Sequence, residues 1–103
     1  MKNDLRPKTV DDFTSSLTSA EPPSGLSRAL QAMWQEGRGN WDAAHTIAQG
    51  LDDKAGSWIH AYLHRKAGDA PNAAYWYRRA GQPPARDSLT EEWRRIVAAL
   101  LVS

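Results

Sequence analysis

The sequence predicts an all-α domain of five to six helices, arranged as two tandem antiparallel helical hairpins closed by a C-terminal helix. Three observations carry this. First, the phrase Gly39-Asn40-Trp41-Asp42-Ala43-Ala44-His45 is echoed by Gly68-Asp69-Ala70-Pro71-Asn72-Ala73-Ala74. Each copy is preceded by an amphipathic stretch and followed by a helix-favouring one, which is the pattern of stacked helix–turn–helix units. Second, apolar residues recur at helical spacing between capping signals. Third, no stretch shows the period-2 alternation of a strand.

The 103 residues suit one domain. Residues 1–23 are expected to form a partly flexible N-terminal segment with a short helix, and residues 24–103 a single helical domain. Within it the hairpins cover residues 24–51 and 53–81, and the capping helix covers 88–102. Residues 1–8 read as loose. Thr9 then caps a first helix carrying Val10, Phe13 and Leu17 at i, i+3, i+7, with Asp12 as a capping-box partner. Pro22-Pro23 breaks the chain, because tandem prolines cannot continue a helix.

The second helix starts at Ser24 and ends at Glu36, with Leu26, Leu30, Met33 and Trp34 on one stripe and Gly37-Arg38-Gly39 as its stop. Asn40 caps the third, whose inner face is Ala44, Ile47, Ala48 and Leu51; Asp52-Asp53 open the fourth. The fourth carries Ala55, Trp58, Ile59, Tyr62 and Leu63 and stops at Gly68. Asp69 caps the fifth, with Pro71 in the first turn, where a missing N–H costs nothing, and with Ala73, Trp76, Tyr77 and Ala80 facing inward. In the last helix Ser88-Leu89-Thr90-Glu91 forms a capping box, Leu89, Trp93, Ile96, Val97 and Leu100 line one side, and Glu91 and Arg95 pair on the other.

Composition excludes several classes of function. There is no cysteine, so disulfides, thiolate metal sites and cysteine nucleophiles are out. The 13 basic residues nearly balance the 12 acidic ones, which argues against a nucleic-acid or anionic-membrane partner. The longest apolar run, Ile96 to Val102, is too short to span a bilayer, and the N-terminus lacks an apolar signal region. A cytoplasmic protein is therefore expected. Tryptophan is the outlier: Trp34, Trp41, Trp58, Trp76 and Trp93 fall one per helix from the second onward. Each is read as a core anchor. An exposed tryptophan stripe is the alternative, and it would make a homodimer possible.

The repeated phrase resembles known helical repeats. Gly39, Trp41 and Ala44 stand at the Gly-x-aromatic-x-x-Ala spacing of tetratricopeptide repeats, and Gly68, Ala73 and Ala80 keep that family's glycine and alanine positions. The run Ala73-Ala74-Tyr75-Trp76-Tyr77-Arg78-Arg79-Ala80 is similar to the Ala-x-x-Trp-Tyr-x-x-Ala segment of Sel1-like repeats. The resemblance covers residues 27–84. It departs where Ala70 replaces the aromatic, where Leu51 replaces the second alanine, and in the repeat length, since Gly39 and Gly68 are 29 residues apart. The phrases His60-Ala61-Tyr62-Leu63-His64-Arg65 and Tyr75-Trp76-Tyr77-Arg78-Arg79 also resemble those of a small bacterial family that brings no activity with it. The repeat resemblance implies a module that binds a protein or peptide.

Two sets of residues are candidate sites. His60 and His64, at i, i+4 on the fourth helix, suit bidentate metal capture. On a wheel starting at Trp58 the apolar stripe centres near about 70° and the histidines near about 200–240°, so they point away from it. Two ligands are insufficient, and His45 would have to converge from another helix. Position 61 is Ala, so the glutamate of a His-Glu-x-x-His motif is missing. The second set is Tyr75, Arg78 and Arg79, opposite the fifth helix's stripe. His60, His64, Tyr75 and Arg79 are expected to share one exposed patch with Arg65 nearby, suited to carboxylates, phosphates or an acidic peptide.

Gly37-Arg38-Gly39 lacks the context of a phosphate loop. Arg94-Arg95 reads as a solvated face, and Glu36, Asp42, Asp52 and Asp53 as helix-end acids. No residue set calls for an enzyme, and no cofactor is expected. The leading expectation is a protein- or peptide-binding module acting through His60, His64, Tyr75, Arg78 and Arg79. No metal site is expected; the alternative to partner binding is a metal- or small-anion-binding protein, catalytic or not, using His45, His60 and His64.

Overall fold

The computed structural model describes residues 6–102. It is all-α: α1 Val10–Ser16, α2 Arg28–Gly37, α3 Trp41–Gln49, α4 Lys54–Lys66, α5 Ala70–Ala80 and α6 Leu89–Leu101, with no strand among the described residues. The flexibility expected for the N-terminal segment falls partly on residues 1–5, outside the described residues.

The helix starts follow from side-chain caps. Thr9, Ser27, Asp53, Asp69 and Ser88 each accept a hydrogen bond from a first-turn amide. Two starts differ from expectation. α2 begins at Arg28 behind Ser27 rather than at Ser24. Asn40 stands at the cap position of α3 without capping it, and its side-chain amide instead donates to Gln35 Oε1. The Ser88–Glu91 capping box forms as read. Because it engages Glu91, the expected Glu91–Arg95 pair does not form, and Arg95 pairs with Asp87 at 2.8 Å.

The repeated phrase builds the same turn twice. After α2, Gly39 has φ +85° and the Asn40 amide donates to the Gln35 carbonyl; after α4, Gly68 has φ +81° and the Asp69 amide donates to the His64 carbonyl. This six-to-one closure needs a left-handed residue after the helix, which glycine supplies without a Cβ penalty. Each turn reverses the chain within residues 38–40 and 67–69, so α2 packs on α3 and α4 on α5.

α4 is the centre of the molecule, packing against α2, α3, α5 and α6. The main core joins α1, α2, α3, α4 and α6 around Phe13, Met33, Trp34, Ile59, Leu63, Ile96 and Val97. Phe13 is fully buried, 5.7 Å from the ring of Trp93, so α1 is built into this core. A smaller cluster of Ala61, Ala73 and Tyr77 seals α5 onto α4, and the two alanines let the helices approach closely. Trp34 and Trp93 are buried; Trp41, Trp58 and Trp76 are half-buried. The exposed tryptophan stripe offered for self-association is therefore not formed. No helix among the described residues is long and apolar enough to cross a membrane.

Candidate functional site

His45, His60 and His64 converge. One ligand atom from each lies within 4.8 Å of the others, and Nε2 of His60 is 3.0 Å from Nε2 of His45. Local sequence explains the arrangement. Spacing of i, i+4 on α4 stacks the rings of His60 and His64, with centroids 5.0 Å apart and planes 12° apart. The short link over residues 50–53 brings α3 back along α4. Trp41 fixes the register by donating its indole N–H to the Leu63 carbonyl at 2.9 Å. One turn later His45 stacks on Trp41 at 4.8 Å and meets His60 and His64 edge-on. Ala44 and Ala48, both buried, allow the close approach of α3.

Aromatic walls enclose the cluster. Trp76 of α5 stacks on His60 at 3.9 Å with planes 8° apart, and Trp41 meets His64 edge-on at 6.2 Å. His60 is only 6% exposed, and the side chain of His64 14%. Asp69, the cap of α5, has its carboxylate 4.0 Å from Nδ1 of His64. Hydrogen bonds from Asn72 hold the Asp69 carboxyl below the usual range and keep it anionic.

The electrostatics favour uncharged imidazoles. Burial, and then the nearby His45 and His64, push His60 down to about 4. Burial and His64 also lower His45, against a small opposing effect of Asp42. At neutral pH both are neutral, with one Nε2–H donating to the facing lone pair. An imidazole pair at this distance can share a proton or a metal ion.

Several expectations are corrected. The wheel placed His60 on an exposed face, but α4 is covered on several sides and His60 is buried under Trp76. The patch expected from His60, His64, Tyr75 and Arg79 is thus divided. Tyr75 (43% exposed), Arg78 and Arg79 remain at the surface, with Arg79 donating to the Tyr75 hydroxyl at 3.1 Å and lying over Trp76 at 5.4 Å. Arg65 is not beside this patch. It turns to the other side of α4, donating to Glu92 at 2.9 Å and to the Asp87 carbonyl.

Two buried acids were not read as such. Glu36, taken as a helix-end acid, is 3% exposed and holds Lys66 at 2.8 Å and the Tyr62 hydroxyl at 3.2 Å. Glu92, which no motif marked, is fully buried and accepts from Trp58, Tyr77 and Arg65. Burial, and then contact with these carboxylates, raises the phenols of Tyr62 and Tyr77 above their ordinary range. The only sequence signal for Glu92 was its place between Leu89, Trp93 and Ile96 on the inner side of α6.

No protein-family model, curated protein or solved structure matches this chain.

Proposed function

We propose that this protein binds a divalent transition-metal ion through His45, His60 and His64. The observation that carries the reading is the convergence of three imidazole nitrogens from two helices within 4.8 Å. In a tetrahedral zinc site with bonds of about 2.05 Å, ligand nitrogens lie about 3.3 Å apart. The His45–His60 separation of 3.0 Å is close to that value, and His64 must move in by about 1.5 Å from the widest spacing. Metal ligation requires neutral imidazoles, which burial supplies for His60 and His45. Nitrogen donors suit zinc, copper and nickel, whereas magnesium and calcium prefer oxygen.

The surroundings support the same reading. Asp69, beside Nδ1 of His64, favours the tautomer that presents Nε2 as the donor, in the manner of carboxylate–histidine–metal relays. Trp41 and Trp76 hold two of the rings in place by stacking.

Isothermal titration with zinc tests the proposal. One ion per chain is expected, with affinity falling at least about tenfold in each of His45→Gln, His60→Gln and His64→Gln, the loss typical of a damaged metal site. Absence of binding, or binding indifferent to all three substitutions, would sink the reading.

A second reading keeps partner binding on a narrower face. Tyr75, Arg78 and Arg79 form an exposed aromatic–cationic set suited to an acidic peptide. Fluorescence anisotropy with a labelled hexaglutamate peptide should show binding that is lost in Tyr75→Ala, Arg78→Ala, Arg79→Ala. No binding by the natural protein would dismiss it.

A further inference from the structure

The three imidazoles would fill three positions around a bound ion. His60 and His64 sit one turn apart on α4, and His45 faces them from α3. Among the described residues, the donor cluster contains these histidines and neither carboxylate nor thiolate. A four-coordinate ion held there has three protein ligands. Zinc sites of the structural kind are closed by four protein ligands, whereas sites with three keep a position for water or an incoming ligand.

We infer that this fourth position takes the carboxylate of a small molecule, with Arg79 as its second contact; the inference rests on the metal-binding reading above. Charge is the first argument. Three neutral imidazoles leave both charges of a divalent ion uncompensated, and a half-buried site favours an anion that cancels one of them. Asp69 stands at the Nδ1 side of His64 and is outside the donor cluster.

Position is the second argument. The guanidinium of Arg79 lies 5.4 Å over Trp76, and that indole stacks on His60 at 3.9 Å. The cation thus contacts the same indole that stacks on His60. It is exposed, donates to the Tyr75 hydroxyl and lies over the rings of Tyr75 and Trp76, and it can swing to a ligand. A guanidinium fork matches a carboxylate in two-point geometry. Access is the third argument. His45 and His64 are half-buried rather than sealed, while Trp41 and Trp76 flank the cluster and limit what enters to something small.

Cobalt(II) in place of zinc gives the test, because its visible spectrum reports both occupancy and change of ligand. The cobalt-loaded protein should show an intense band of low coordination number. Acetate should shift that band saturably, and acetamide, its neutral counterpart, should not. Arg79→Ala should retain cobalt and weaken acetate about tenfold, the size expected for a lost charged hydrogen bond. A cobalt band unmoved by acetate, or moved equally by acetamide, overturns this inference while leaving the metal reading intact. Unchanged acetate affinity in Arg79→Ala removes the second contact. Absence of any protein-dependent cobalt band overturns both readings.

Discussion

The two sides of α4 bury polar groups on opposite principles. Trp58, Tyr62, Arg65 and Lys66 face buried carboxylates, each answered by partners of complementary kind: Glu92 by Arg65, Tyr77 and Trp58, and Glu36 by Lys66 and Tyr62. No buried side-chain polar atom is left without a partner among the described residues. On the other side, His60 and His64 meet His45, so three groups of one kind are gathered together. A set of complementary charges explains itself as structure: it satisfies what burial would otherwise leave costly. Three imidazoles gain little from one another, since protonating one discourages the next. Their convergence points to a ligand that wants several lone pairs.

This contrast yields a ranked set of predictions. The largest effect belongs to the carboxylate side. Glu92→Ala takes the carboxylate from Arg65 and leaves the Tyr77 hydroxyl and the Trp58 indole N–H without their acceptor, and urea denaturation should show a loss of about 3–5 kcal/mol. His45→Gln and His64→Gln should cost far less stability while removing metal binding. Equal destabilisation by both classes of substitution would erase the distinction.

Next comes packing at the entry to α4. A Cβ on Gly56 would lie 2.5 Å from Leu51 Cβ and 2.8 Å from the Leu51 carbonyl, and that backbone cannot step aside. Gly56→Ala should therefore destabilise by about 1–3 kcal/mol despite alanine's better helix propensity. Because Leu51 links α3 to α4, the same variant should bind zinc more weakly.

The pH response of the metal-free protein isolates the imidazoles. Above pH 6.5 His60 is neutral in both folded and unfolded chains, and stability does not depend on it. Below 6.5 the unfolded chain takes up a proton that the folded site refuses until about pH 4. Stability therefore falls with pH across that window, and lowered His45 acts in the same direction. Thermal melts of the natural protein between pH 6.5 and 4 should fall more steeply than those of His60→Gln. Parallel curves would show that His60 does not carry the effect.

The smallest effect is expected at the surface. Arg94 and Asp11 pair at 3.0 Å, but both are exposed. Arg94→Ala should leave the melting temperature unchanged within error. A clear drop would mean that docking of α1 depends on that pair.

Much of this was legible in residues. Capping at Thr9, Asp53, Asp69 and Ser88, and the repeated glycine turn, are local, and local signals survive folding. The i, i+4 histidine pair was equally visible. What failed was the assumption that each helix has one buried stripe. α4 touches four other helices, so residues on the far side of its apolar stripe are also covered, and His60 was assigned to solvent. The approach of His45 depends on the indole bond of Trp41 to Leu63, a contact across 22 residues that no spacing rule encodes. Glu36 and Glu92 were hidden for a related reason: a charged residue reads as surface until its partners on other helices are known.

Capture of one ion by three imidazoles of α3 and α4 is open to direct observation. A crystal grown with zinc, with anomalous data collected on both sides of the zinc absorption edge, tests it most directly. A single strong peak bonded at about 2.0–2.1 Å to nitrogens of His45, His60 and His64 is expected. A zinc peak elsewhere on the chain, or Nε2 of His60 still hydrogen-bonded to Nε2 of His45 with no ion among the three rings, is the opposite result.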